Sequence, residues 1–148
     1  MYMSTGKYDG VSIEKIVLTD PSYIIWLIGT SAKSREMAIA QTEAIRLIAA
    51  FDARPIQAKC HDCKGTATRL TGYDGSSISL YPWCEACDPR GSTGKATTVI
   101  RTYKQALRHN DFGGTGTKAG QKRIIGAMAN LKGLSRPMTE ANLMAFFG

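Results

Sequence analysis

The chain has 148 residues, 43% of them hydrophobic, and a formal charge of +7. That length and apolar content suit a globular core and exclude a disordered chain. The longest apolar run, residues 23–29, is far short of the roughly 20 residues a membrane-spanning helix needs, and no secretion-signal pattern opens the chain, so a cytoplasmic protein with no membrane partner is expected.

In chain order, residues 1–5 are expected to fray. Ser12 can cap a short helix over 13–17. Asp20 then serves as N-cap and Pro21 as first helical residue of a second helix that stops at Gly29. Tyr23, Ile24, Trp26, Leu27 and Ile28 make this helix apolar nearly all round, which predicts burial, so Trp26 is assigned to the core. From 34 to 51, Met37, Ala40, Ala44, Leu47, Ile48 and Phe51 fall on one face of an amphipathic helix, ended by Pro55. Residues 56–90 hold two β-like runs around Tyr-Asp-Gly-Ser-Ser at 73–77, a hairpin signal.

A glycine-containing loop, RGSTGKATT, leads into an expected helix over 96–109. Its apolar stripe is Val99, Ile100, Tyr103 and Leu107, with Arg101, Lys104 and Arg108 on another face. His109 falls at its C-terminus, where the helix dipole favours it. Crowded glycines make 110–118 a flexible linker. Ile124, Ile125, Met128 and Leu131 mark a helix over 118–131, closed by Gly133. Thr139 caps a short terminal helix. The fold class is α+β: a helical N-terminal module (1–54), a zinc-ribbon hairpin (55–92) and a basic helical part (93–148).

The strongest chemical signal is Cys60-His61-Asp62-Cys63 followed by Cys84-Glu85-Ala86-Cys87. Two C-x-x-C knuckles, brought together by a hairpin, offer four sulfurs to one tetrahedral Zn2+. Gly65 is expected to turn the backbone after the first knuckle. All four positions are sulfur, so the metal would be structural rather than catalytic. Two disulfides and a redox pair are the alternatives; the cytoplasmic setting opposes the first and the paired spacing opposes the second. His61 is read as exposed, with a ligand role as its alternative. The spacing resembles a zinc ribbon.

Charge is segregated. Residues 1–54 hold six Lys/Arg and six Asp/Glu, residues 55–93 four and four, and residues 94–148 nine Lys/Arg against Asp111 and Glu140. A basic tract of this kind is the footprint of a polyanion, and nucleic acid, DNA before RNA, is the expected partner. Lys95, Arg101, Lys104, Arg108, Lys118, Lys122 and Arg123 are the candidate phosphate contacts. The loop before Ala96 fails the Walker spacing, which leaves an anion site at a helix N-terminus around Gly94, Lys95, Thr97 and Thr98 as a weaker reading. Trp83, beside Cys84, is read as a surface aromatic able to touch bases. The acids are few and unpaired, so no catalytic residues, small-molecule substrate or enzyme activity are expected.

Gly6, Lys7, Tyr8, Gly10, Ile13, Ile16, Asp20, Pro21, Tyr23, Ile24, Trp26 and Leu27 form an ordered pattern. It resembles the C-terminal domain of exodeoxyribonuclease X, also found in small phage and prophage proteins. The resemblance covers about the first fifth of the chain. It implies an accessory role beside DNA-processing enzymes, with Lys7 and Tyr8 as surface contacts. The nuclease core has no counterpart here. The reading is a non-catalytic accessory binder of nucleic acid, encoded by a phage or prophage. The alternative is an adaptor or inhibitor acting on a host nuclease, polymerase or defence complex.

Overall fold

A computed structural model of the chain describes residues 1–75, 79–88 and 97–148. These residues form six α-helices and a three-stranded antiparallel sheet, an α+β architecture. The helices are α1 (Ile13–Thr19), α2 (Pro21–Gly29), α3 (Arg35–Ala53), α4 (Tyr103–Phe112), α5 (Lys118–Leu131) and α6 (Glu140–Phe147). The strands are β1 (Arg69–Tyr73), β2 (Leu80–Trp83) and β3 (Thr97–Ile100).

Short polar side chains start the helices by taking up otherwise unpaired backbone N–H groups. Ser12 accepts from Lys15 N at 3.2 Å, Asp20 from Tyr23 N at 3.1 Å, Ser34 from Met37 N at 3.1 Å and Thr139 from Asn142 N at 3.2 Å. The expected stripe of α3 is the observed one: Ala40, Ala44, Leu47, Ile48 and Phe51 are buried. Helix α1 packs on α2, α3, α5 and α6, and α5 on α1, α2 and α4. One apolar cluster runs from Met3 to Phe147 and takes in Leu70 of β1 and Ile100 of β3.

Several expectations change. Residues 1–5 are not frayed: Met3 N donates to Val11 O at 2.9 Å, Ile13 N to Met1 O at 2.8 Å, and the Met3 side chain is buried. Helix α2 is not buried all round, because its neighbours cover one side and leave Ile25 and Trp26 exposed, Trp26 at 55%. The helix expected from 96 begins only at Tyr103. The β-branched run Thr97, Thr98, Val99 and Ile100 is extended and pairs with β1, Leu70 facing Ile100 and Gly72 facing Thr98. Arg101 therefore precedes α4 instead of lying on it. A capping box starts α4: Thr102 Oγ1 accepts from Gln105 N at 3.1 Å while Gln105 Oε1 accepts from Thr102 N at 3.2 Å.

Beyond position 109, α4 runs on to Phe112. The turn to α5 is hydrogen-bonded: Gly116 N donates to Asn110 O at 2.8 Å, Asn110 Nδ2 to Thr117 O at 3.1 Å, and Thr115 Oγ1 to Asn110 Oδ1 at 3.1 Å.

The hairpin forms as expected, with Arg69 facing Trp83 and Gly72 facing Leu80. His109 on α4 is only 2% exposed and lies against Gly72. A Cβ at position 72 would stand 2.7 Å from His109 Nε2, so the sheet reaches the helix only because that side chain is missing.

Candidate metal centre and cationic surface

The first knuckle is a tight loop closed on itself. Cys60 N donates to Gly65 O at 2.7 Å and Lys64 N to Cys60 O at 3.1 Å. The residue with left-handed backbone is Lys64 (φ 62°), not Gly65. Gly65 has another part: its N–H donates to Cys63 Sγ at 3.4 Å, and a Cβ there would crowd that sulfur at 3.3 Å. The second knuckle follows β2 directly. His61 N to Pro82 O (2.8 Å) and Thr68 N to Trp83 O (2.9 Å) bring the two together.

The four Sγ atoms lie within 4.8 Å of one another, with Cys63 and Cys84 at 3.7 Å. A tetrahedral site with metal–sulfur bonds of about 2.3 Å has edges of about 3.8 Å, so the cluster can hold a single metal ion. All four cysteines are free thiols. Packed together, Cys60 and Cys87 titrate far apart. Burial raises the Cys60 thiol, but backbone N–H groups of Cys84, Cys63 and Asp62 outweigh it and bring it to about 6. Hydrogen bonding to Cys84 pushes Cys87 up to about 12. Four thiolates at this spacing would repel one another unless a cation stood among them.

The surroundings brace the knuckles. Arg69, buried on β1, pairs with Asp88 at 3.2 Å just past the second knuckle. Trp83 is not a surface residue. It is 8% exposed, and its Nε1 donates to Thr71 Oγ1 at 2.8 Å. His61, by contrast, is exposed, with its ring edge-on to Tyr81 and Trp83 at 5.4 and 5.2 Å.

Arg101, Lys104, Arg108, Lys118, Lys122 and Arg123 are all exposed, and none forms an ion pair among the described residues. Lys95 and Gly94 lie outside the described residues. The helix N-terminus expected just after them is strand β3 instead, which removes the basis for an anion site there. Lys104 and Arg108 stand one turn apart on α4, and Lys118 and Lys122 one turn apart on α5. Gln121 of α5 donates to Asp111 of α4 at 3.4 Å and lines one groove with Lys104 and Arg108. Arg123 lies about 100° round the helix from Lys122 and so faces elsewhere.

Two cations of the basic tract's neighbourhood do different work. Lys132 is buried, and its Nζ donates to Arg54 O at 2.7 Å, at the C-terminal end of α3. Burial holds its ammonium below the usual lysine value. Arg54 reaches back to Lys132 O at 2.7 Å and stacks over Phe146. Nothing local in the sequence marks Lys132 as a core residue; the signal is its place opposite a helix end, which only the fold supplies.

At the N-terminus, Gly6 and Gly10 have positive φ (77° and 79°) and bracket a 3-10 turn at Gly6–Tyr8. The turn lays Tyr8 on Tyr23, with ring centroids 4.8 Å apart, and its hydroxyl donates to Asp20 Oδ2. Lys7 stays largely exposed, 3.4 Å from the same carboxylate. Burial works to raise the Asp20 carboxyl, but Tyr8, the Tyr23 amide and Lys7 together hold it below its usual value.

Comparison with protein-family models, with curated proteins and with solved structures finds no match to the chain.

Proposed function

We propose that the chain is a non-catalytic nucleic-acid-binding protein, DNA before RNA, whose four cysteines hold one structural Zn2+. The observation that carries the binding reading is the set of exposed, unpaired cations on α4 and α5, with Arg101 just ahead. Cations left without acidic partners are available to displace counterions from phosphates. Zn2+ is favoured by the donor set: four soft thiolates at tetrahedral spacing suit it and leave no position for a reacting water. Cys60, Cys63, Cys84 and Cys87 would hold the ion, which ties the two knuckles together. The resemblance of residues 6–27 to the exodeoxyribonuclease X module supports an accessory place beside a DNA-processing enzyme, in keeping with a phage or prophage setting.

Binding of labelled oligonucleotides across a salt series tests this. The affinity should fall steeply with salt, and replacing Lys104 and Arg108 together by Gln should reduce the logarithmic salt slope by about 2. No binding at low salt to any single- or double-stranded oligonucleotide sinks the reading. A protein partner that survives nuclease treatment of a lysate, with no oligonucleotide binding, favours an adaptor or inhibitor instead.

A further inference from the structure

Phe112 closes α4 with its ring 85% exposed, the most open of the large apolar side chains among the described residues. It stands one turn beyond Arg108 and two beyond Lys104, so the ring and two cations form a row at intervals of about 6 Å. Behind that row is an open groove of about 740 Å³ between α2 and α4, with Ile25, Ile28, Ile45 and Leu107 among its walls. Ile25 and Ile45 are themselves exposed, at 38% and 56%. The groove contains one carboxylate, Asp111, which accepts from Gln121.

We propose that this groove takes unpaired nucleobases, so that the nucleic acid bound is single-stranded. The inference rests on the nucleic-acid reading above and names its substrate. Phosphates alone would need only cations, and a duplex keeps its base faces stacked inside, where Phe112 cannot reach them. An unpaired base has an open π-face and a hydrophobic body, which an exposed ring and an isoleucine-lined groove remove from water. Lys104 and Arg108 supply the charge complementarity: a strand laid along α4 sets its phosphates on the cations while its bases turn toward Phe112 and the groove. The ring sets no pattern of donors and acceptors, so binding tolerates any sequence.

The test compares a labelled oligothymidine with a duplex of equal length, on the full chain. The single strand should bind more tightly. Phe112→Ala should weaken its binding about 10-fold or more at unchanged salt slope, leave duplex binding as it was, and be rescued by Phe112→Trp. The fluorescence that the indole of Phe112→Trp adds should be quenched on binding. Phe112 touches so little that its removal leaves the fold intact. Equal binding of the single strand by Phe112→Ala and by the unaltered chain overturns the proposal, as does a preference for duplex. In either case a loss on replacing Lys104 and Arg108 keeps the nucleic-acid reading alive, whereas absence of all oligonucleotide binding ends both. Dimerisation through Phe112, or capture of an acidic amphipathic peptide there in competition with no oligonucleotide, also overturns it.

Discussion

In the helical body, Phe51 meets Tyr103 and Phe146 edge to face, at 5.4 and 6.0 Å, inside one apolar cluster that runs almost from end to end of the chain. In the knuckle region, Cys60, Ala67 and Trp83 are buried but lie outside that cluster. They are enclosed by short hydrogen-bonded loops, the ion pairs of Arg69 with Asp88 and Glu85, and four sulfurs. The body is ordered by area removed from water, summed over many side chains. The knuckles are too small for that and depend on a few directional bonds, as small metal-braced units do. The hairpin belongs to both: Leu70 enters the apolar cluster while Arg69 and Thr71 face the knuckle side.

That contrast can be broken most sharply at the proposed metal. Binding of a structural zinc amounts to about 10 kcal/mol or more, so chelation, or Cys60→Ser, should release the knuckles while the helices persist. Hydrogen exchange reads this directly: the amides of His61 and Thr68 should lose protection, and those of α5 should keep theirs. Unchanged exchange at His61 and Thr68 would remove the metal from the account, and elemental analysis should find about one zinc per chain.

Phe51→Ala probes the other side. A buried aromatic cut to alanine costs about 3–5 kcal/mol. The thermal midpoint should fall for all six helices together, because the cavity opens where α3, α4 and α6 meet. A transition confined to one helix would show that the body is not one cooperative unit.

The smallest effect concerns the clasp at Asp20. Its carboxyl titrates below the ordinary value of 3.8, so its charged form stabilises the fold. The contribution is fully present above that ordinary value and is lost as pH falls through the lower, folded one. Asp20→Asn should lower stability by about 1–2 kcal/mol at neutral pH and flatten the acid limb of a melting-temperature profile. An acid limb identical to that of the unaltered chain would count against the clasp.

Much of this was legible locally. The C-x-x-C pairs, the caps at Ser12, Asp20 and Thr139, and the stripes of α3 and α5 are patterns within a few turns of chain, and each forms where the pattern puts it. The failures are long-range. Residues 97–100 read as the start of a helix because Val99 and Ile100 continue the stripe of Tyr103 and Leu107; pairing with β1, nearly thirty residues earlier, overrides that. The two tryptophans exchange roles for a similar reason. Trp26 sits on an apolar helix with one side left uncovered, and Trp83, beside a polar knuckle, finds its Nε1 partner across the strand pair at Thr71. Lys132 counted toward a basic surface, yet it closes the end of α3.

The missing side chain at Gly72 acts as an alignment gauge. His109 accepts only a residue without a Cβ beneath it, and Thr71 and Tyr73 on either side both carry one. A slip of β1 by one residue would carry the hairpin about 3.3 Å along the helical body and turn its faces over. The place of the four sulfurs on the molecule is therefore set in part by a glycine and an imidazole that touch none of them.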